Sequence, residues 1–329
     1  MRPMLSFRSI LSAFVISMLG VVSTGSAIAQ AAYPDKPVRF VVPYPPGGGT
    51  DVIARIVQDR FQSLLGQPII IDNKGGAGGS VGSELAARAA PDGYTVLFTL
   101  SSHTINPAIY PKLSFDTIKD FESIGTVASL PQILVANPQV PANTVAELVA
   151  LAKAKPELLA YASVGNGSPG HLAGELFKLR TGTQMTHIPY RGGGPAVTDV
   201  ISGQVPLLWV SIPAAAQFVK AGKLKAFAVS TLKCSAAFPD VPTVQETGVP
   251  DFEVDSWYAM FVPARTPQPV IDRLNRTLNT IVAEPGIRDK LLAQGAEGVG
   301  GTPQALSRIV AAEIPKWAKL AKDANIKAD

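Results

Sequence analysis

Four stretches of the chain gather backbone amide groups where side chains are missing: Pro45-Pro46-Gly47-Gly48-Gly49-Thr50-Asp51, Gly75-Gly76-Ala77-Gly78-Gly79-Ser80, Gly165-Asn166-Gly167-Ser168-Pro169-Gly170 and Arg191-Gly192-Gly193-Gly194-Pro195. Without a Cβ, a ligand can approach the main chain, and the unpaired N–H groups of a first helical turn favour an anion. One glycine turn is ordinarily a tight turn and nothing more. Four of them predict a shared pocket of carboxylate size.

Other chemistries fare less well. G-x-x-x-x-G-K-[ST] occurs nowhere, and we expect no nucleotide or other cofactor. His103, His171 and His187 lie far apart, with Cys234 the only cysteine, so no metal-ligand spacing and no internal disulfide are available. Gly78-Gly79-Ser80-Val81-Gly82 fits the G-x-S-x-G of a nucleophile elbow, which makes a secreted serine hydrolase the alternative reading. That motif sits in a glycine run, and no histidine follows His187, where such a fold keeps its catalytic one. We expect no catalytic residue.

Several single residues carry two readings. Asp51 at a helix start suits a loop brace, since a carboxylate repels an anionic guest. Arg191 could grip a carboxylate or simply be solvated. His171 reads as a helix-start residue bonded within its lobe, and Trp257 and Tyr258 as core or cleft lining.

The elements that must position these loops alternate as a parallel α/β sheet requires. Strands are expected over residues 38–43, 68–72, 94–100, 133–136, 160–163, 185–189, 205–210, 224–230 and 252–262. Helices are expected over 51–65, 81–89, 145–155, 171–179 and 195–201, and again after 262. Thr144 and Glu147 form a capping box, Thr302-Pro303 starts the last helix, and Pro315 should kink or interrupt it. The length predicts two lobes joined by extended segments near 130–136 and 252–262. The boundaries are 30–130 plus 252–329 for a discontinuous lobe 1 and 131–251 for lobe 2.

Residues 1–29 read as a signal peptide. Arg2 and Arg8 precede an apolar stretch from Ile10 to Val22, and Ala27-Ile28-Ala29 is a small-x-small site, so cleavage is expected after Ala29 or after Ala31. Without Arg2 and Arg8, 27 basic residues against 25 acidic ones leave +2. So small a charge, with no basic run, excludes nucleic acid as an expected partner, and no later segment is apolar enough for membrane insertion.

The chain resembles the substrate-binding proteins of tripartite tricarboxylate transporters, also called Bug receptors. The resemblance rests on Tyr33-Pro34-Asp35-Lys36-Pro37, the loop 45–51, Gly76-Ala77-Gly78-Gly79, Pro91-Asp92-Gly93-Tyr94-Thr95, Tyr190-Arg191-Gly192-Gly193-Gly194-Pro195-Ala196, Pro239-Asp240-Val241-Pro242-Thr243 and Ser256-Trp257-Tyr258. It implies a two-lobed periplasmic binding protein of the type II, Venus-flytrap kind, α/β in class, with a central mostly parallel sheet in each lobe. The implied protein is a monomer that binds a small carboxylate, serves the permease subunits of such a transporter or acts as a sensor, and performs no catalysis. By position, Tyr44, Gly47, Gly48, Gly49, Thr50, Ser101, Ser102 and Asn106 would meet the guest from lobe 1. Ser163, Gly165, Ser168, Gly192, Gly193 and Gly194 would meet it from lobe 2. Where many relatives carry an acidic or amide residue, this chain reads Leu208-Trp209-Val210-Ser211. That departure turns the expected guest away from amino acids and toward amine-free organic or aromatic acids.

Overall fold

The computed structural model describes residues 33–110, 112–190 and 192–326. The signal-peptide segment, both cleavage registers and Arg191 lie outside the described residues.

Three parallel strands open the fold: β1 (Val38–Val42), β2 (Ile69–Asn73) and β3 (Thr95–Leu100), in the order β2-β1-β3. Their crossovers are α1 (Gly49–Leu65) and α2 (Ser80–Ala87). β1 is rich in β-branched residues and almost wholly buried, as a strand covered on both faces must be. Phe40 packs edge-on against Phe61 of α1 at 5.3 Å and stacks on Phe98 of β3 at 6.2 Å, tying sheet to helix.

After β3 comes α3 (Ser102–Ile109), a helix not among the expected elements, which place none between 81–89 and 145–155. Pro107 lies inside it, and Ile105 and Ile109 are its only large apolar residues, too short a pattern to mark a helix. The next strand, β4 (Phe121–Ala136), is four times the expected length. Beyond it come α4 (Val145–Ala154), β5 (Ala160–Ser163), α5 (Pro169–Thr181), β6 (Thr186–Pro189), α6 (Gly193–Ile201), β7 (Leu207–Ser211), α7 (Ile212–Lys220) and β8 (Lys225–Val229). The chain closes with β9 (Asp255–Pro263), α8 (Gln268–Ala283), α9 (Pro285–Ala293), β10 (Glu297–Gly300) and α10 (Pro303–Asp323).

β4 joins two lobes. Up to Pro131 it pairs with β9 and β10; from Gln132 it pairs with β7 and β8. The result is a mixed sheet: β2-β1-β3 and β7-β5-β6 are parallel at its two ends, while every pairing of β4, and that of β3 with β9, is antiparallel. At the junction Gln132 N–H donates to Ser230 Oγ at 3.0 Å, and Gln132 Nε2 donates to Ser256 Oγ at 3.0 Å. Val254 N–H donates to Ser230 O at 2.9 Å, so three passes of chain are laced together there. In the second lobe Trp209 stacks on Phe252 at 5.7 Å within the core that also holds Tyr161 and Phe177.

The caps follow the sequence with one difference. Thr144 and Thr302 accept from Glu147 N and Ala305 N, at 3.1 Å each. Glu147 reaches back to Asn143 N rather than to Thr144 N. α10 runs through Pro315 without interruption. Pro315 is exposed, so the carbonyl its ring leaves unbonded can turn to water. Among the described residues no helix is long and apolar enough to cross a membrane.

Candidate functional site

The glycine turns lie at the carboxyl ends of β1, β2, β5 and β6, where open α/β sheets place their ligands. Residues 44–50 leave β1 and enter α1. Gly47 takes a positive φ of 77°, and Gly48 caps the helix with no side-chain acceptor. Helical geometry therefore leaves the N–H groups of Gly49, Thr50 and Asp51 without intrahelical partners. Asp51 is the brace its position suggests. One of its oxygens accepts from Gly47 N and Arg55 Nε, both at 2.9 Å, and the other from Asn73 Nδ2 at 3.1 Å. Burial pushes its carboxyl up, but the bonds from Arg55, Gly47 and Asn73 outweigh this and hold it below its ordinary value.

Tyr44 draws the other loops of the first lobe together. Its hydroxyl donates to Gly78 O at 3.4 Å and hydrogen-bonds Ser102 and Thr99. Burial raises it to about 12 despite those bonds, so it stays protonated. A Cβ on Gly79 would lie 2.7 Å from that hydroxyl, and one on Gly49 would lie 2.8 Å from the Tyr258 hydroxyl. Burial, and then Tyr44 beside it, push Tyr258 up as well. Asn106 Nδ2 donates to Gly78 O at 3.0 Å and Ser80 Oγ at 3.2 Å, and the Ser101 hydroxyl is buried with no partner. The structure thus brings Tyr44, Gly47, Gly48, Gly49, Thr50, Ser102 and Asn106 into one neighbourhood, with Ser101 beside them. Gly79 of the second glycine turn and Tyr258, read from the sequence as core or cleft lining, join them. Thr99, at the end of β3, is the residue that sequence reasoning misses, since nothing in its strand sets it apart.

In the second lobe, residues 163–168 leave β5 and enter α5. Gly165 and Gly167 take φ of 134° and 68°. Ser163 Oγ donates to Gly165 O at 3.1 Å, accepts from Gly165 N at 3.2 Å and lies 2.7 Å from His187 Nε2. Ser168 caps α5 by accepting from His171 N at 3.3 Å. Gly192, Gly193 and Gly194 start α6 with no side-chain cap, and a Cβ on Gly193 would pack against Ala214, Val210 and Val164. Tyr190 N donates to Ser163 O at 3.0 Å, so the two loops are neighbours. The lobes meet where Gly167 sits against Ile109 and Ile105: any Cβ there would collide with Ile109 Cδ1, on the helix that carries Asn106.

The competing chemistries find no support here. No histidine bonds Ser80 among the described residues; its partner is Asn106. Gly82, the last glycine of the nucleophile-elbow match, is required by packing, since its Cβ would lie 2.7 Å from Pro43 Cβ. Gly165-Asn166-Gly167-Ser168-Pro169-Gly170 fits the G-x-G-x-x-G spacing between β5 and α5, against the expectation of no cofactor motif. The dinucleotide reading nevertheless falls: Ser168 and the His171 ring occupy the start of α5, Pro169 has no N–H, and no acid follows β6 to hold a ribose. No group of three metal-ligating side chains occurs among the described residues. A groove of about 610 Å³ runs along Tyr110, Asp116, Thr117 and Ile314, and the glycine loops do not line it.

A two-lobed α/β shell with glycine-rich helix starts in each lobe has the architecture of a solute-binding protein of the periplasmic type. The chain belongs to the tripartite tricarboxylate transporter family of receptors, whose family model matches residues 53–326. Protein BugT of Bordetella pertussis is 35% identical over 319 residues, covering 95% of this chain and 98% of that one. A Rhodopseudomonas palustris protein, Rpa4515, solved with adipate, superposes with a TM-score of 0.83 at 35% identity, covering 90% of this chain and all of its own. MatC of Rhodopseudomonas palustris, solved with bound malate, gives a TM-score of 0.79 at 32% identity, covering 88% of this chain and 99% of its own.

Proposed function

We propose that the mature protein is a periplasmic receptor that closes on a small amine-free carboxylate, aliphatic or aromatic, and presents it to a tripartite tricarboxylate-type permease or acts as a sensor. The observation that carries this reading is the chemistry of the loops. Residues 44–50, 75–80, 101–106, 163–168 and 192–194 contain no Asp, Glu, Lys or Arg, and α1 and α6 both start on uncapped glycines. Such a lining supplies amide and hydroxyl donors for an anion. It supplies no counter-charge for an ammonium, because the adjacent Asp51 is engaged by Arg55. The relatives solved with adipate and malate support a dicarboxylate among the candidates.

The lobes are taken as 30–130 plus 252–329 and 131–251, a division that the change of partners along β4 at Pro131 and Gln132 supports. Binding favours closure only through tighter affinity for the closed state, since a guest that binds both states equally shifts nothing. The export signal is removed after Ala29 or Ala31, and the receptor works as a monomer. A thermal-shift screen of mono-, di- and aromatic carboxylates, followed by calorimetry, tests the assignment. A guest at one hundred times its Kd adds about 2.7 kcal/mol of stability. A screen in which amino acids stabilise the protein and amine-free acids do not would overturn it.

A further inference from the structure

Behind the turn at residues 163–168 three rings form a pile, each from a different element. Tyr161 of β5 stacks on His187 of β6 at 4.9 Å and 28°, and His187 stacks on His171 of α5 at 3.8 Å and 8°. The two imidazoles each hold one end of the turn. His171 Nδ1 accepts from Gly167 N at 3.1 Å, and His187 Nε2 lies 2.7 Å from Ser163 Oγ. Between these points the backbone passes through the left-handed conformations of Gly165 and Gly167, which local preference alone does not select.

The bond to Gly167 also fixes a protonation state. Nδ1 can accept an N–H only when it is unprotonated, so His171 is neutral with its proton on Nε2. Two parallel rings 3.8 Å apart resist a shared positive charge. The charged groups around the pile are already paired: Lys178 with Glu175 at 2.8 Å, and Glu175 with the Tyr161 hydroxyl at 2.6 Å. Burial above all pushes His187 down to about 3.

We propose that His171 and His187 are positioning residues of the guest site: a neutral, stacked pair that fixes the 163–168 turn from behind. The Gly165, Gly167 and Ser168 N–H groups are spent within the turn and its supports, and the Asn166 N–H between them is left to meet the carboxylate already arranged. This rests on the receptor reading above. It makes Ser163 an internal brace, its hydroxyl engaged by Gly165 and His187, and leaves recognition in this loop to the backbone. A turn held in its bound conformation before the guest arrives loses less entropy on binding.

Two substitutions separate the hydrogen bond from the ring. His171→Phe keeps an aromatic ring in the stack but has no acceptor, whereas His171→Asn loses the ring but offers Oδ1 to the Gly167 N–H. Calorimetry with adipate and with malate should show His171→Phe binding about tenfold more weakly than the parent and His171→Asn within about threefold of it, the size of one hydrogen bond. Amide exchange in the guest-free protein should show Gly167 losing protection in His171→Phe and keeping it in His171→Asn. The proposal fails if the Phe variant binds as the parent does, if the Asn variant is as weak as the Phe variant, or if Gly167 protection is the same in all three. Should neither acid bind the parent, the choice of guest is wrong while the exchange measurement still decides the role of the ring.

Discussion

Ser129 Oγ lies 2.8 Å from each carboxylate oxygen of Asp255, linking β4 to the start of β9 beside the point where β4 passes from one lobe to the other. Burial pushes the Asp255 carboxyl up to about 6; Ser129 pulls it back, and the nearby Glu313 and Glu253 add to the rise. The folded value therefore stands above the unfolded one of about 3.9, so folded protein holds this proton more tightly. Asp255 favours folding at low pH, and that contribution fades as pH rises from about 4 through about 6. Asp255→Asn should stabilise the protein by about 2 kcal/mol at pH 8 and by almost nothing at pH 4. Urea unfolding at the two pH values checks this; an equal effect at both would show that the charge is not what costs stability.

His103 has the opposite sign. Its ring sits among Phe115, Phe121 and Phe261, with centroids 5.9, 4.9 and 4.9 Å away, and neither nitrogen has a partner. Burial pushes it down to about 3, below the unfolded value of about 6.5. Stability from this group is complete above 6.5 and is lost as pH falls from there toward 3. His103→Phe should flatten the acid limb of the stability curve, recovering about 3 kcal/mol at pH 4 relative to its effect at pH 7. His187 retains its own acid limb, so the variant should still weaken below pH 6. An unchanged slope would mean that the ring gains water or a partner on protonation.

The loop assignments can be tested without disturbing the fold. A Cβ on Gly194 meets nothing within 4 Å and its φ is not positive, so Gly194→Val places a side chain in open space above the start of α6. Carboxylate binding should fall at least tenfold with little change in Tm. Gly286→Val, equally unobstructed but on α9, should bind as the parent does. If both variants bind normally, Gly192, Gly193 and Gly194 do not face the guest.

Local grammar explains which parts were legible in advance. β1, β2, α1 and the caps at Thr144 and Thr302 announce themselves through β-branched runs, apolar period and cap chemistry, all of which act within a few residues. α3 does not: its large apolar residues are only Ile105 and Ile109, on either side of Pro107, and it is held by distant partners, Asn106 bonding Gly78 and Thr104 bonding Glu313. Likewise the length of β4 comes from partners on both lobes, which no window of its own sequence reveals. The glycine turns were visible as turns, and the family resemblance pointed to their side chains. What was hidden is how those side chains are spent: Ser163, Ser168 and Asn106 bond within the protein.

Asn106 gives the sharpest contrast between the binding and hydrolytic readings of Ser80. Its amide donates to Gly78 O and Ser80 Oγ, so it clamps α3 against the turn at residues 75–80 beside Tyr44. Asn106→Ala removes both bonds and leaves Gly78 O only the 3.4 Å contact from Tyr44, at a cost of about 1–3 kcal/mol. Carboxylate affinity should fall with it, because the Tyr44 and Ser102 hydroxyls then lose their fixed neighbour. Ser80→Ala removes one acceptor while Gly78 O continues to hold Asn106, so it should cost less than half as much in stability and affinity. Neither change should alter the background hydrolysis of generic esters. Ester turnover in the parent that disappears in Ser80→Ala would instead make Asn106 an orienting group for a nucleophile.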